Sequence, residues 1–362
     1  MFLLTLPLYL KRLPVKATLV AISMATAALL VAACQPAGAS PSAALDTVQL
    51  SGLKVSLGGT GPVKPTGKLK EFTLVARQAQ WELLPGLTTT ADTFNGTVPG
   101  PTIRVTEGDT VRVVLRNELP QPTSVHWHGL HVPNAMDGVA GVTQKAVEPG
   151  ESFTYEFTAS HAGTFMYHSH GPFSREQIDR GLYGTLIIEP QKPEQPKFDR
   201  EYTLALQGWM VGQDMSDMAM SMDYNYFTIN GKSFPATEPL KVKTGDVVRL
   251  RLINPSQTIH PMHLHGQDFK IVAKDGEPLP FQQVANTVVL NQGETYDIVF
   301  IANNPGRWVF HCHDLHHASN DGVEPGGLIV VVEYEDFQAP DLSGGPVATP
   351  TPMPTNMPGM GH

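Results

Sequence analysis

Short segments of alternating or continuous apolar residues recur along most of this chain, and each is bounded by Gly, Pro, Asn or Asp. Residues 108–117, Gly-Asp-Thr-Val-Arg-Val-Val-Leu-Arg-Asn, are one example. Alternation over roughly 4–8 residues is the period of a β-strand with one buried face. After the apolar N-terminal leader, no segment keeps a helical period over three turns. The pattern therefore predicts an all-β protein built from β-sandwich domains.

The predicted strands occur twice, which indicates a duplicated domain. Residues 108–117 match residues 245–254, and residues 163–170 match residues 306–313. The proline-rich segment 190–196 separates the two copies. We therefore predict two domains, at residues 71–190 and 198–337.

The N-terminus has the residue order of an export signal. Lys11, Arg12 and Lys16 precede an apolar stretch that ends in Val-Ala-Ala-Cys34. This ending resembles a bacterial lipobox, so we expect residues 1–33 to be a lipoprotein signal peptide and Cys34 to be lipidated. The mature protein would then lie outside the cytoplasm, tethered to a membrane of the bacterial cell envelope. An uncleaved membrane anchor is the alternative.

Two further segments lack the composition of a packed core. Residues 34–70 contain no aromatic residue and much Gly, Pro, Ser and Thr, which predicts a flexible tether. Residues 338–362 are rich in Pro and Met, which predicts a disordered tail.

Charge and cysteine content exclude several classes of partner and of metal site. The 362 residues include 34 acidic and 25 basic residues, for a formal charge of -9. Nucleic-acid binding needs a basic surface, so we expect no nucleic-acid partner. Only two cysteines occur, Cys34 and Cys312, which excludes a disulfide framework and a four-cysteine zinc site. The abundance of histidine, 14 residues, remains to be explained.

Eight histidines form four His-x-His pairs at equivalent places in the two copies: His126/His128, His168/His170, His263/His265 and His311/His313. Residues i and i+2 of a strand share one face, so each pair can offer two imidazoles to a metal cluster. The same alternation directs the Cys312 thiol to the opposite face. There His260 and His317 can complete a site of two histidines and one thiolate, which is suited to copper. Ser169 stands at the position of Cys312 in the first copy, so we predict one thiolate site, in the second domain.

In their order along the chain, these motifs resemble the four copper-binding motifs of the multicopper oxidases, and the resemblance covers residues 71–337. It implies two cupredoxin-like Greek-key β-sandwich or barrel domains and four copper ions: one type 1, one type 2 and two type 3. By motif position, the type 1 ligands are His260, Cys312 and His317, and the type 2 ligands are His126 and His263. The type 3 ligands are His128, His168 and His313 on one copper, and His170, His265 and His311 on the other.

The resemblance also implies a function. Members of this family couple the one-electron oxidation of a reductant to the reduction of O2 to water, with electrons entering near the exposed edge of His317 and passing through Cys312. We expect laccase-like oxidation of phenols. A cuprous oxidase for copper tolerance is the alternative, because thioethers suit Cu(I). Five methionines lie near the start of the second copy: Met210, Met215, Met218, Met220 and Met222. A copper nitrite reductase or a copper-sequestering protein is a more remote alternative.

Three details follow from the resemblance. Two-domain relatives are homotrimers, in which the first domain of one chain faces the second domain of the next, so we expect copper clusters at subunit interfaces. Asp137 falls where the family has an acid near the cluster and is the expected proton donor. Asp314 is the only acid close to Cys312, which leaves the second proton route open. The axial position of the type 1 copper falls on Gly322, with Val323 or Leu328 as alternatives.

Overall fold

The structure is a computed structural model that describes residues 50, 52–59, 63–212 and 223–338. Nearly all of its regular structure is β-strand, which confirms the all-β prediction. The first domain contains β1 (Leu69–Leu84), β2 (Leu87–Phe94), β3 (Gly100–Thr106), β4 (Thr110–Asn117), β5 (Val125–His128), β6 (Ser152–Thr158), β7 (Gly163–Ser169) and β8 (Tyr183–Glu189). Its short helices are a 3-10 helix at Asn134–Met136 and an α-helix at Ser174–Asp179.

The second domain repeats this arrangement with more strands. They are β9 (Arg200–Trp209), β10 (Tyr226–Ile229), β11 (Leu240–Val242), β12 (Val247–Ile253), β13 (His260–Leu264), β14 (Phe269–Lys274), β15 (Glu277–Ala285), β16 (Thr287–Leu290), β17 (Thr295–Ile301), β18 (Arg307–Cys312) and β19 (Ile329–Tyr334). A 3-10 helix at Leu315–Ala318 follows β18 directly.

Each domain is a sandwich of two sheets around its own apolar core. In the first domain the sheet β2-β1-β4-β6 packs on the sheet β3-β8-β7-β5. Alternate residues of β4, Val111, Val113 and Leu115, are fully buried between them. In the second domain the sheet β10-β9-β12-β17-β14-β15 packs on β11-β19-β18-β13-β16. The period-2 pattern in the sequence therefore marks the inward faces of these strands.

The two domains share an apolar and ionic boundary. Tyr183 and Met166 of the first domain and Trp209 of the second belong to one buried cluster. Thr164 on β7 donates a hydrogen bond of 2.6 Å to Asp297 on β17. A buried polar group is normally hydrogen-bonded, and Thr164 and Asp297 can pair only when the two domains are placed as observed. These contacts therefore favour one placement of the two domains.

The predicted tether differs from the structure at its C-terminal end. Val55 and Leu57 are buried against the second domain in a small cluster, and Ser56 pairs with Gln195. The apolar side chains gain more by packing on β14 and β17 than by remaining in water, so this segment is part of the folded body. The signal peptide, Cys34 and the C-terminal tail from residue 339 onward lie outside the described residues. Among those that are described, no helix is long and apolar enough to cross a bilayer.

Candidate metal centres

The duplicated motifs occupy the same register in both domains. In the first domain Val125 pairs with Ser169, and His126 pairs with His168, across β5 and β7. In the second domain Met262 pairs with Cys312, and His263 pairs with His311, across β13 and β18. Directly opposed residues of an antiparallel pair point to the same face of the sheet. Each domain therefore gathers histidines on one face, and Ser169 or Cys312 on the other.

The first half-site consists of His126, His128, His168 and His170. The Nδ1 atom of His128 lies 3.2 Å from Nε2 of His168. Ring centroids of His126 lie 5.4 Å from those of both His168 and His170. Donor atoms of His126, His128 and His168 all fall within 4.8 Å of one another, which is the spacing of a metal site.

The second half-site consists of His263, His265, His311 and His313. The Nε2 atoms of His265 and His311 are 2.9 Å apart. The His313 ring lies 5.7 Å from that of His263 and 5.6 Å from that of His311. The His265–His311 pair here and the His128–His168 pair above each belong to one type 3 copper in the assignment by motif position.

Backbone carbonyls orient four of these rings. Nδ1 of His126 donates to the carbonyl of Asp137 at 2.8 Å, and Nδ1 of His263 donates to that of Asn286 at 2.8 Å. His168 and His311 each donate Nδ1 to the carbonyl of the following residue, also at 2.8 Å. A ring that uses Nδ1–H as a donor keeps Nε2 as a lone-pair ligand, so the tautomer needed for metal binding is set in advance.

Burial also favours the neutral form of five of these imidazoles. It lowers the pKa of His168 to about 3 and lowers those of His128, His170, His265 and His311 in the same direction. Only neutral imidazole can bind a metal ion.

The two half-sites do not meet within one chain. Within the described parts of the sequence, every ring contact of these eight histidines joins members of the same half-site. The three-residue metal groups found there likewise contain no mixture of the two. Each half-site offers at most four imidazoles from one chain.

The thiolate site lies on the opposite face of β18, inside the second domain. Cys312 and His260 are fully buried, and Sγ of Cys312 lies 3.9 Å from Nδ1 of His260 and 3.6 Å from Nδ1 of His317. The two Nδ1 atoms are 3.2 Å apart. A trigonal metal with bonds of about 2.0 Å to nitrogen and 2.3 Å to sulfur would space these atoms at about 3.5 and 3.7 Å. The donor set therefore fits copper held by two imidazoles and a thiolate.

Neighbouring groups hold this site in place. Ser256 Oγ lies 2.8 Å from Nε2 of His260, which turns Nδ1 toward Cys312. Phe227 packs on the His317 ring with centroids 4.2 Å apart. Burial raises the pKa of the Cys312 thiol to about 12, and a bound metal ion would provide the charge that deprotonates it.

The three candidates for the axial position differ in burial. Val323 is 68% exposed and Gly322 lies in the same exposed loop, so neither covers the site. Leu328 is fully buried in the core that contains Cys312. Its amide donates to the His317 carbonyl at 2.8 Å, and its carbonyl accepts from the Cys312 amide at 3.0 Å. Leu328 is thus the apolar residue tied to the ligands.

Asp137 and Asp314, the two acids considered as proton donors, lie at different centres. Asp137 Oδ1 is 3.4 Å from Nδ1 of His126, beside the first half-site as predicted. Asp314 Oδ2 is 3.6 Å from Nε2 of His317, at the thiolate site. A second proton route through Asp314 to the histidine cluster is therefore not supported by its position.

His317, at whose edge electrons were expected to enter, is 7% exposed as a whole residue, with Phe227 packed on one ring face and Asp314 beside Nε2. Sequence reasoning missed Phe227, which no motif marks. The spacing of Asp314 three residues before His317, in a short 3-10 turn, was the signal that could have placed Asp314. Met215, Met218, Met220 and Met222 lie outside the described residues.

Comparison with known proteins identifies the family of this chain. Family profiles described as multicopper oxidase match residues 75–193 and 210–323. The solved structure of the multicopper oxidase mgLAC is similar, with a TM-score of 0.71 and 38% identity, covering 76% of this chain and 89% of that one. A copper nitrite reductase from Nitrosomonas europaea has a TM-score of 0.67 and 28% identity, covering 74% and 95%.

Curated relatives are longer. Copper resistance protein A of Pseudomonas syringae pv. tomato is 30% identical over 334 residues, which are 77% of this chain and 52% of that protein. The chain thus spans about half the length of this relative. The structural neighbours confirm the cupredoxin-like fold of both domains. Together, the profiles and the coverage of mgLAC establish that this chain belongs to the multicopper oxidase family, as a two-domain, laccase-like member.

Proposed function

We propose that this protein is a copper-dependent oxidase that couples one-electron oxidation of a small reducing substrate to four-electron reduction of O2 to water. The observation that carries the proposal is the placement of Cys312 between His311 and His313. Its sulfur belongs to the thiolate site, while the two imidazoles belong to the second half-site. Copper at these centres would supply one-electron redox chemistry and O2 reduction.

The residues of the chain have distinct tasks in this scheme. His260, Cys312 and His317 would hold one copper in a buried, water-poor pocket, which favours a fixed geometry over a solvated one. The eight paired histidines would hold three more, for a total of four copper ions. Backbone carbonyls keep four of these rings oriented before any metal binds.

A homotrimer would complete the histidine cluster. One half-site supplies four imidazoles, and the assignment by motif requires eight around three coppers, so each half-site needs a complement. The first domain of one chain facing the second domain of its neighbour provides it, and cyclic symmetry then gives three identical clusters in a closed ring.

Asp137 would serve as the proton donor. Its backbone carbonyl accepts from His126 Nδ1, and its Oδ1 lies 3.4 Å from the same atom, so its carboxylate is held at the edge of the cluster. A general acid must lie within hydrogen-bond reach of the group it serves or one water away.

For the reductant we propose phenolic substrates, as in a laccase. A cuprous oxidase is the second candidate, favoured by the similarity to a copper resistance protein and by the four methionines between residues 215 and 222. A copper nitrite reductase has a similar fold but is a weaker candidate. Ser169 stands where such an enzyme would need a thiolate in the first domain, and the full set of eight paired histidines is present. A protein that only sequesters copper has no need for Cys312 between two histidines.

The test is copper content per chain of the purified protein, read together with its visible spectrum and its O2 uptake. We expect about four coppers, a blue band and O2 uptake, with the rates on 2,6-dimethoxyphenol and on Cu(I) choosing between the two reductants. About two coppers, or copper without O2 uptake, would contradict the proposal.

We also propose export as a lipoprotein through Cys34. The support is the order of the leader and its lipobox-like ending. Mass spectrometry of the N-terminal peptide from native membranes should find a diacylated Cys34; an intact residue 1–33 segment would overturn this.

A further inference from the structure

Lysines line the surface where the N-terminal segment runs beside the linker between the two domains. Ser56 and Gln195 exchange backbone hydrogen bonds of 2.6 and 2.9 Å. In such an antiparallel pair, the residue two positions before one partner and the residue two positions after the other lie opposite each other on the same side. Lys54 and Lys197 occupy these positions, and both are exposed, whereas Val55 between Lys54 and Ser56 is buried.

The row of lysines continues toward the first domain. The side-chain amide of Gln191 donates to the Lys64 carbonyl at 2.5 Å, so Lys64 lies beside the start of the linker. Lys64 is exposed, and so is Lys192, which follows Gln191. We call Lys54, Lys64, Lys192 and Lys197 the basic strip.

The acids along the basic strip do not cancel its charge. Glu194 forms an ion pair of 2.7 Å with buried Arg249, and Glu107 is only 4% exposed. Asp199 is an exposed acid next to the strip, and its Oδ2 accepts from the Val247 amide at 2.9 Å. The strip therefore stays positive in a chain whose formal charge is -9. An anionic surface is attracted here and is repelled by the body as a whole.

An exposed aromatic side chain lies beside the basic strip. Gln282 on β15 donates from Nε2 to the Val55 carbonyl at 2.7 Å, which joins β15 to the segment that carries Lys54. Phe281, next to Gln282, is 89% exposed, the largest exposed fraction among the large apolar side chains that the structure describes. An apolar ring beside a row of cations is the combination that suits the interface of an anionic membrane.

The same surface is where the chain arrives from the expected lipid. Leu50, the first described residue, follows Cys34 by 16 positions. A chain spans at most about 3.5 Å per residue, so Leu50 lies within about 56 Å of an acylated Cys34. The basic strip begins at Lys54, four positions after Leu50. Of the folded body, this face is therefore the one to which the anchored segment leads.

We propose that the basic strip and Phe281 form a membrane-contacting surface that docks the tethered protein on a bilayer containing anionic phospholipid. The lysines would pair with lipid phosphates while the Phe281 ring enters the interface. This inference rests on the proposed lipid anchor at Cys34 and adds the face that the protein turns toward the membrane.

The test uses the full acylated protein, purified from native membranes and added to preformed vesicles. Phe281→Trp introduces a fluorophore at the proposed contact. Val142→Trp is a matched control, because Val142 is 81% exposed on a turn of the first domain. The vesicles contain phosphatidylcholine brominated in its acyl chains, alone or with about 30% phosphatidylglycerol as the anionic lipid. Bromine quenches only tryptophans that enter the bilayer, and flotation of the protein with the vesicles reports the lipid anchor.

With phosphatidylglycerol present, we expect the added fluorescence of the Phe281→Trp variant to fall by about half or more, with little quenching on phosphatidylcholine alone. The Val142→Trp variant should be quenched no more than the wild type. In the Phe281→Trp background, Lys54→Gln with Lys197→Gln should weaken the quenching about twofold or more, because two cations that face lipid phosphates are lost. Lys145→Gln with Lys241→Gln removes the same charge at exposed positions elsewhere and should leave the quenching unchanged.

A Phe281→Trp variant that floats with the vesicles but is quenched no more than the wild type would overturn the proposal. Equal quenching in the two double-lysine variants would also overturn it, because the basic strip would then have no special part in docking. Failure of the lipid anchor is distinct: the wild type would not float with phosphatidylcholine vesicles, and the proposal would fall with the anchor. Failure of the proposed oxidase function does not affect this readout, which involves neither copper nor O2.

Discussion

Cys312 and His311 are consecutive residues of β18 whose side chains leave the strand on opposite faces. Sγ of Cys312 lies 3.6 Å from Nδ1 of His317, while Nε2 of His311 lies 2.9 Å from Nε2 of His265. Only the covalent bonds between adjacent residues separate the two centres. The alternation of a β-strand, applied to a single tripeptide, thus connects a thiolate site to a histidine cluster.

Replacing Cys312 with Ser should abolish the blue band. Serine lacks the soft ligand that copper requires at a trigonal site, so about one copper per chain should be lost and O2 uptake should fall more than about 100-fold. Absorption spectroscopy and copper analysis check this. Ser169→Ala, at the equivalent position of the first domain, should retain the blue band; loss of the band in that variant would show that Ser169 is needed at the thiolate site.

Mixing two inactive variants should restore activity if clusters form between chains. One variant carries His126→Ala and His128→Ala, and the other carries His263→Ala and His265→Ala. After dissociation, mixing at equal amounts and reassembly, about one quarter of the interfaces would pair an intact first half-site with an intact second one. O2 uptake should therefore recover to about a quarter of the wild-type rate. No recovery in correctly sized trimers would place the cluster within one chain.

Asp137→Asn should slow O2 reduction while leaving electron entry intact. The amide occupies the same place beside His126 but cannot deliver a proton, which typically costs about 100-fold or more. Stopped-flow measurements should find an unchanged rate of anaerobic bleaching and a slow return of colour with O2. Slow bleaching as well would place the defect at the thiolate site, contrary to this role.

Asp179→Asn should stabilise the protein above pH 6. Burial raises the pKa of Asp179 from 3.8 to about 6, although Tyr224 and Arg175 oppose the shift. The folded state therefore binds more protons than the unfolded state between these values, and stability falls as pH rises from about 4 to 6. The Asn side chain does not ionise, so the variant should not lose this part of the unfolding free energy, which is about 3 kcal/mol. Urea unfolding at pH 5, 6 and 8 measures it, with Glu148→Gln as an exposed control.

Glu201→Gln should have the opposite pH dependence. Despite burial, Arg251 and Arg249 lower the pKa of Glu201 from 4.5 to about 2, and Arg104 of the first domain also binds it at 2.7 Å. Its contribution is present above pH 4.5 and is lost as pH falls toward 2. We expect the variant to have an unfolding free energy about 3 kcal/mol lower than the wild type at pH 7. This difference should become smaller as the pH falls below 4.5. An equal loss at pH 7 and pH 4 would mean that lost packing, not charge, is responsible.

Much of the architecture could be predicted because it is encoded locally. The alternation in residues 108–117 depends only on which side of a strand each residue occupies, and β4 buries alternate residues as expected. In β12 the alternate positions Arg249 and Arg251 are buried as well, because that face is paired with acidic groups and with Thr164 of the first domain. The spacing of His126 and His128 places both rings on one face for the same reason. The match between residues 108–117 and 245–254 strengthened the prediction from each weak local pattern.

Other features depend on contacts between residues that are distant in sequence. Packing of Val55 on the second domain, the carbonyl of Asn286 on His263 and the ion pair of Arg104 with Glu201 join segments at least 23 residues apart. The contact between the Phe227 and His317 rings likewise joins residues far apart in sequence. The sequence by itself determined the strands, the copper-ligand types and their faces, because these follow from a period of two. Only the tertiary structure decided that the two half-sites remain apart in one chain and that Phe227 packs on His317, because these depend on how the faces are packed in space.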